Sequence, residues 1–298
     1  MTVRRALPTA VAALAIVTVA AARAAAPAQP AGRSPTVRGQ RLDADGAVRV
    51  WNLVGSVRVV GWARDSVAVV GRVGPGGRLF VGGGPRGVKV GVEAAGDSTA
   101  AVLELRVPHG ARVWVKTATA PVAVTGLVGD VELYSVSGAV HVAGRPATLR
   151  AESLAGAVTV DDGADWARIR TSSGAIRVRG PVSDGELTTV GGRVWFGGRV
   201  DGRARLESVT GAVDFAGAVA PGAALTVDTH AGDVTLALPR SGAALDLLAL
   251  HGRVTSPVAA LRARVRPAGR GEAVRADAPP GAGRVEVRSF RGRITVGG

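Results

Sequence analysis

The chain has 298 residues, with 37 Lys+Arg against 23 Asp+Glu, a net charge of +14, 43 Gly, 16 Pro and no Cys. Zero cysteine excludes a disulfide scaffold, a thiolate zinc site, a thiol nucleophile and a lipidated cysteine. With 47% apolar and 20% charged residues wholesale disorder is excluded, and 5 Trp, 4 Phe and 1 Tyr are too few for the aromatic girdles of a membrane β-barrel.

Residues 1–26 read as a secretory signal peptide. Arg4 and Arg5 form a basic start, Ala10 to Ala22 an apolar run of 13 residues, and Ala22-Arg23-Ala24 or Ala24-Ala25-Ala26 a small-x-small cleavage site. The run falls short of the ~20 residues of a membrane span, although retention as an anchor stays open. The expected location is the periplasm or the cell surface, within the cell envelope. Loss of Arg4, Arg5 and Arg23 leaves 34 basic and 23 acidic residues, a net +11. Export argues against nucleic acid as the partner of this charge. Residues 27–41 (PAQPAGRSPTVRGQR) read as a disordered linker. Residues 42–112 carry short strand-like runs between PGG and GGGP turns, an irregular N-terminal β region expected to cap the segment from residue 113 onward.

From residue 113 the chain repeats itself. The pattern [ST]-x-x-G-x-[VI]-x-[apolar] recurs with its glycine at Gly138, Gly156, Gly174, Gly192, Gly211, Gly232, Gly252 and Gly292. The spacings are 18, 18, 18, 19, 21, 20 and 40. TATAPVAV (117–124) is an earlier copy with Ala120 in place of the glycine, and NLVGSVRV (52–59) is another. Apolar pairs precede each glycine by seven and five residues, as in Val131/Leu133 and Leu149/Ala151. Others come two and four residues after it, as in Val140/Val142 and Val194/Phe196. Each run has the period of two of a strand with one buried face, and the phase slips between them, so a corner lies at the S-x-x-G. Tolerance of positive φ is the expected reason for glycine there. Gly126, Gly144, Gly180, Gly198, Gly217 and Gly298 mark a second corner.

A repeat of this length cannot bury its apolar face alone. Stacking copies about 4.8 Å apart gives continuous Val/Ile/Leu ladders. The predicted fold is therefore all-β: a parallel β-solenoid (a single-stranded β-helix) over 113–298, with rungs of 18–21 residues. The hydroxyls Ser135, Ser153, Thr171, Thr189, Ser208, Thr229 and Ser289 are expected to form a bonded corner ladder. An Arg/Pro/Gly-rich stretch at 257–283 interrupts the repeat, and the chain closes on one more copy. That copy is expected to end the rod as an open edge, available for end-to-end self-association through the C-terminal rung.

The phrase LRVPHGARVWVKTATAPVAVTGLVGDVELYSVSGAVHVAG (105–144) and the repeated S-x-x-G-x-V-x-V after it resemble a bacterial domain-of-unknown-function family. The resemblance rests on Val107-Pro108, on Gly129-Asp130-Val131 and on the repeat over residues 45–298. It implies a β-solenoid fold and, from the adhesin label its members carry, surface binding; it transfers no catalytic or binding residues.

Stacked copies turn outward positions into columns. Three residues after each corner glycine the column reads Ala123, His141, Thr159, Arg177, Trp195, Asp214, Thr235, Thr255 and Thr295. Trp195 is thus expected to be exposed between Arg177 and Asp214, with Arg179 and Arg193 beside it. An indole among guanidiniums can stack a sugar ring or hold an anion; the bland alternative is a ladder of cation–π and ion pairs that only covers the sheet. No acid/base pair stands at defined spacing (Asp161, Asp162 and Asp165 are the nearest candidates), so no catalytic residues, metal ligands or cofactors are expected. The sequence reads as an exported, non-enzymatic, adhesin-like binding or structural module for anionic polysaccharide or lipid headgroups. A polysaccharide-acting β-helix enzyme and a self-assembling envelope scaffold remain the alternatives.

Overall fold

Alternation of Val, Leu and Ile with polar residues drives most of the described residues into strands with one buried face. The structure is a computed structural model that describes residues 36–94, 99–238 and 242–297. The signal expected over 1–26 and the corner expected at Gly298 lie outside them. The strands form a 13-stranded and a 15-stranded sheet, both mostly parallel, with one continuous apolar core. Each copy of the repeat contributes one strand to each sheet.

The register tracks the repeat closely. In the larger sheet Asp130 pairs with Thr148, Thr148 with Trp166, Trp166 with Asp184, Asp184 with Arg203 and Arg203 with Ala224. In the smaller sheet Val122, Val140, Val158, Ile176, Val194, Val213 and Val234 stand in one line. Phe196 and Phe215 stack inside, ring centroids 5.4 Å apart. Each such buried apolar side chain contributes on the order of 1.5–3 kcal/mol.

Strand order departs from chain order at both ends. Ala224–Thr229 pairs not with the next copy but with the last one, Arg284–Ser289, and Ala244–Ala249 then pairs on the far side of that last copy. Val234–Ala237, Ile294–Gly297 and Val254–Thr255 repeat this order in the other sheet. The C-terminal rung is therefore interior, which corrects the expectation of an open edge there. Its insertion satisfies both rows of its backbone groups. The 257–283 interruption supplies a short helix, Ala259–Arg262, and two strands, Arg266–Ala268 and Gly271–Ala276. Gly271–Ala276 lies antiparallel on Ala244–Ala249 and covers that edge.

The N-terminal end is arranged in a similar way. Ala47–Trp51 sits between Gly87–Ala94 and Arg112–Lys116, and Gly55–Trp62 between Ala101–Pro108 and Val122–Thr125. Antiparallel strands lie beyond: Ser66–Val73 joins Ala101–Pro108, and Gly77–Gly84 joins Gly87–Ala94. The linker expected over 27–41 is too long at its end. Thr36–Arg41 is a strand paired antiparallel with Ser66–Val73, because an open row of backbone groups accepts a polar strand as readily as an apolar one.

The corner glycines are needed for a different reason from the expected one. None of the eight has positive φ. A Cβ at Gly192 would fall 2.0 Å from the Gly174 carbonyl oxygen, and one at Gly174 would fall 2.1 Å from that of Gly156. The corner backbones stack so closely that no side-chain carbon fits between them. Ala120 is tolerated because its neighbouring corner, Leu53 to Gly55, is built differently, with Gly55 at φ 109°. At the second corner Gly126, Gly144 and Gly180 do adopt positive φ, whereas Gly198 and Gly217 do not and are held to glycine by contact.

The corner hydroxyls are buried and mostly bonded. Ser135 Oγ donates to Gly138 O (2.8 Å), and Thr229 Oγ1 to Gly232 O (2.9 Å). Thr171 Oγ1 lies 2.6 Å from Gly174 O and 2.9 Å from Thr189 Oγ1, which in turn accepts from the Gly192 N–H. Ser153 Oγ and Ser208 Oγ have no partner.

Candidate functional site

Three neighbouring parallel strands, Ile176–Arg179, Val194–Gly197 and Val213–Ala216, place Arg177 beside Trp195 and Trp195 beside Asp214. Their flanking Ile176, Val178, Val194, Phe196, Val213 and Phe215 are buried, so the intervening residues must face outward. The structure brings all five expected residues to one face.

Trp195 is half-buried rather than exposed. Its indole lies across Gly197, where an added Cβ would meet the ring at 2.0 Å. On the other side the Arg177 Cζ stands 4.6 Å from the ring centroid and that of Arg179 5.9 Å. Two of the three guanidiniums already have partners. Arg193 Nε donates to Asp214 Oδ2 at 2.5 Å, and this carboxylate raises the Arg193 pKa. Arg179 Nη1 donates to Asp161 Oδ1 at 3.2 Å. Asp161 also lies 2.6 Å from His141 Nε2; this hydrogen bond, with Arg179 adding to it, holds its carboxyl below the ordinary aspartate range.

The patch is thus a connected surface: His141, Asp161, Arg179, Trp195, Arg177. Arg177 has no ion pair among the described residues, and its N–H groups remain available around the stacked indole. The Arg179–Asp161 pair is solvated, with side-chain exposures of 53% and 30%, and an exposed pair of this kind is worth about 0–1 kcal/mol. Exchange of Asp161 for a ligand anion would therefore cost little. Chemically the arrangement can hold an anionic group edge-on to the guanidiniums.

The larger sheet's outer face carries alternating charges. Arg168 and Arg170 both reach Glu186 (2.8 and 2.7 Å), and Arg205 reaches Asp228 (2.9 Å). Desolvation raises the Asp228 pKa, with Arg205 opposing the shift. The carboxylates weighed for catalysis do not converge. Asp161 is held by His141 and Arg179, and Asp165 by Arg145 at 2.7 Å. Among the described residues there is no group of three or more His, Cys, Asp or Glu able to hold a metal ion, and no helix long and apolar enough to cross a membrane.

Two surface features escaped the sequence reading. The second position of the S-x-x-G corner is exposed and often aliphatic, so Leu53, Val136, Leu154, Val190, Val209 and Leu250 run along one corner of the molecule. The signal was present in the aligned copies. On the larger sheet Trp51, Trp114 and Tyr134 form a tilted row, with centroids 5.1 and 5.8 Å apart. Trp51 precedes the repeat that starts at residue 113, and nothing in the spacing of Trp51 and Trp114 marked them as neighbours.

No family model matches the chain, and no curated protein matches it. Among solved structures it is similar to a "putative cell adhesion protein" from Clostridium sporogenes, with 8% identity, 89% of this chain and 99% of that chain covered, and a TM-score of 0.24. It is also similar to a "putative adhesin" from Bacteroides fragilis, with 8% identity, 90% and 100% of the chains covered, and a TM-score of 0.34. Identities this low and TM-scores below 0.5 transfer neither fold detail nor function.

Proposed function

We propose that this chain is an exported, non-enzymatic β-solenoid of 18–21-residue rungs with an irregular N-terminal cap, acting at the periplasmic or outer cell surface as an adhesin-like binding module for anionic envelope polysaccharide. The observation that carries this reading is the Arg177–Trp195–Arg179 stack, in which one guanidinium has no ion pair among the described residues and a second holds only a solvated one. The net charge of +14, or +11 without residues 1–26, favours encounter with polyanions. Asp214 orients Arg193 at the rim rather than taking part in contact.

The test is retention of the full chain on immobilised acidic polysaccharide and on anionic lipid vesicles, at low and high salt. The Arg177→Ala/Arg179→Ala/Trp195→Ala variant is run alongside. Salt-sensitive retention on polysaccharide, lost in the variant, supports the reading. Equal retention by the variant removes the patch from it, and binding to vesicles alone would make the partner a membrane surface.

A further inference from the structure

We propose that the outer face of the larger sheet, at its N-terminal end, holds a second and separate site: a groove for an acidic oligosaccharide, floored by Gly87 and Ala47, walled by Phe80 and Trp114, and charged by Arg49 and Lys89. It goes beyond the polysaccharide-binding role of the Arg177–Trp195 patch and lies on the other sheet from it.

The groove is a real depression. A cavity of about 440 Å³ lies over Ala47–Trp51, Gly77–Gly84 and Gly87–Ala94, within the range of small-ligand sites. Through Ala47 and Arg49 it runs into a second depression of about 240 Å³ that reaches Arg112 and Trp114 and ends one strand farther on at Asp130 and Glu132, whose carboxylates bound the cationic part of the groove. Phe80 and Trp114 stand three strands apart, about 14 Å at the spacing of paired strands, so the groove fits a chain segment rather than one ring.

Its charge is not explained by the fold. Arg49 and Lys89 stand directly opposite each other on adjacent strands, both exposed, and neither has an ion pair among the described residues. Like charges in direct register destabilise a sheet. Farther along the same face the cations meet carboxylates, as Arg168 and Arg170 meet Glu186. A bound carboxylate would relieve the repulsion and accept charge-assisted hydrogen bonds from both side chains.

Its floor is not explained by the backbone either. Gly87 does not have positive φ, and an added Cβ would meet nothing nearer than the Ala47 carbonyl oxygen at 3.5 Å, an ordinary contact. Glycine within a strand is less favourable than alanine, through the backbone freedom it loses on folding. What it provides here, in register with Gly84 and Ala47, is depth beside Lys89 and Arg49 and next to Phe80, which is 42% exposed. Aromatic walls accept the apolar face of a sugar ring, and the paired cations select a ring that carries a carboxylate. These two requirements together point to a uronate-type saccharide rather than a neutral one.

Calorimetric titration of the full chain with tetragalacturonate, and with neutral maltotetraose, tests this. The acidic oligomer is expected to bind and the neutral one not. Arg49→Gln/Lys89→Gln is expected to weaken binding at least ~10-fold, the scale of a lost charge-assisted contact. Gly87→Val is expected to abolish it while the melting temperature holds or rises, which separates blockage from misfolding. Arg177→Ala/Trp195→Ala should leave it unchanged. Absence of binding at millimolar oligomer, equal binding of the neutral oligomer, or full binding by Gly87→Val would each overturn the groove. Loss confined to Arg177→Ala/Trp195→Ala would also overturn it while supporting the patch; loss in the groove variants alone supports the groove, and retention by the patch is then measured in the Arg49→Gln/Lys89→Gln background.

Discussion

Replacement of Gly192 by alanine tests why the corners are glycine. The new Cβ would lie 2.0 Å from the Gly174 carbonyl oxygen and 2.7 Å from its carbon, both backbone atoms without a rotamer to yield. Reaching an ordinary contact of 3.4 Å requires the two corners to part by more than 1 Å. Hydrogen bonds across that step, Ile176 N–H to Arg193 O (2.8 Å) and Gly191 N–H to Ser172 O (2.8 Å), would not survive such a movement. Two or three lost bonds at about 0.5–1.5 kcal/mol each come to about 3 kcal/mol, at the upper end of what overpacking usually costs. At about 2–4 °C per kcal/mol for a domain of this size, the main thermal transition should fall by about 6–12 °C. Gly191→Ala is the control. Its Cβ would find only Thr210 Oγ1 at 3.6 Å, and its φ is not positive, so the melting temperature should stay or rise slightly. Circular dichroism melts of the full-length variants decide the matter. If Gly192→Ala melts with the parent protein, or Gly191→Ala falls as far, close approach is not what holds glycine at the corner.

Thr171→Val should cost about 1 kcal/mol in denaturant melts, because Gly174 O and Thr189 Oγ1 lose a partner, whereas Ser153→Ala, whose hydroxyl has none, should be close to neutral. Phe196→Ala should cost about 3–5 kcal/mol in the same melts by opening a cavity beside Phe215. Ending the chain at residue 283 should expose 244–276 to protease together, since those strands reach the rest of the sheet through Arg284–Ser289; persistence of that region as a protected fragment would contradict the strand order. The Asp161 carboxyl is held below its ordinary value of 3.8, so the stability it contributes is complete above that value and is lost as pH falls through the lower folded one. Asp161→Asn should flatten the acid limb of a stability–pH profile, by less than ~1 kcal/mol because the pair is solvated.

What could be read from the sequence was whatever recurs. The S-x-x-G copies give the register of Asp130 on Thr148 and of Arg177 on Trp195, because stacked copies must align their apolar residues. Periodicity is silent on which copy lies against which. The two spatial orders of 244–255 and 284–297 place the same Val and Ile residues in the core, so the insertion of the last copy left no mark in the pattern. Composition likewise shows a glycine without its reason, and the corner glycines proved to be a matter of contact rather than of φ. The column logic brought the five patch residues together but overstated the exposure of Trp195, since the glycine two residues on, Gly197, gave the indole a surface to lie on. The groove at Arg49 and Lys89 was illegible because those residues are 40 apart in a stretch without repeats.

The interior position of the last copy constrains the order in which the strands can pair. A chain exported as proposed emerges from its N-terminus, so the copies from 112 to 237 can pair in order as they appear, whereas 244–255 has no place to dock until 284–297 has crossed after it. The segment 284–297 is thus the keystone that joins the two parts. Until it arrives, Ala224–Thr229 and Val234–Ala237 present unpaired backbone, the species most open to quality-control proteolysis and to pairing with a second nascent chain. Completion of the two sheets therefore waits on residues 284–297.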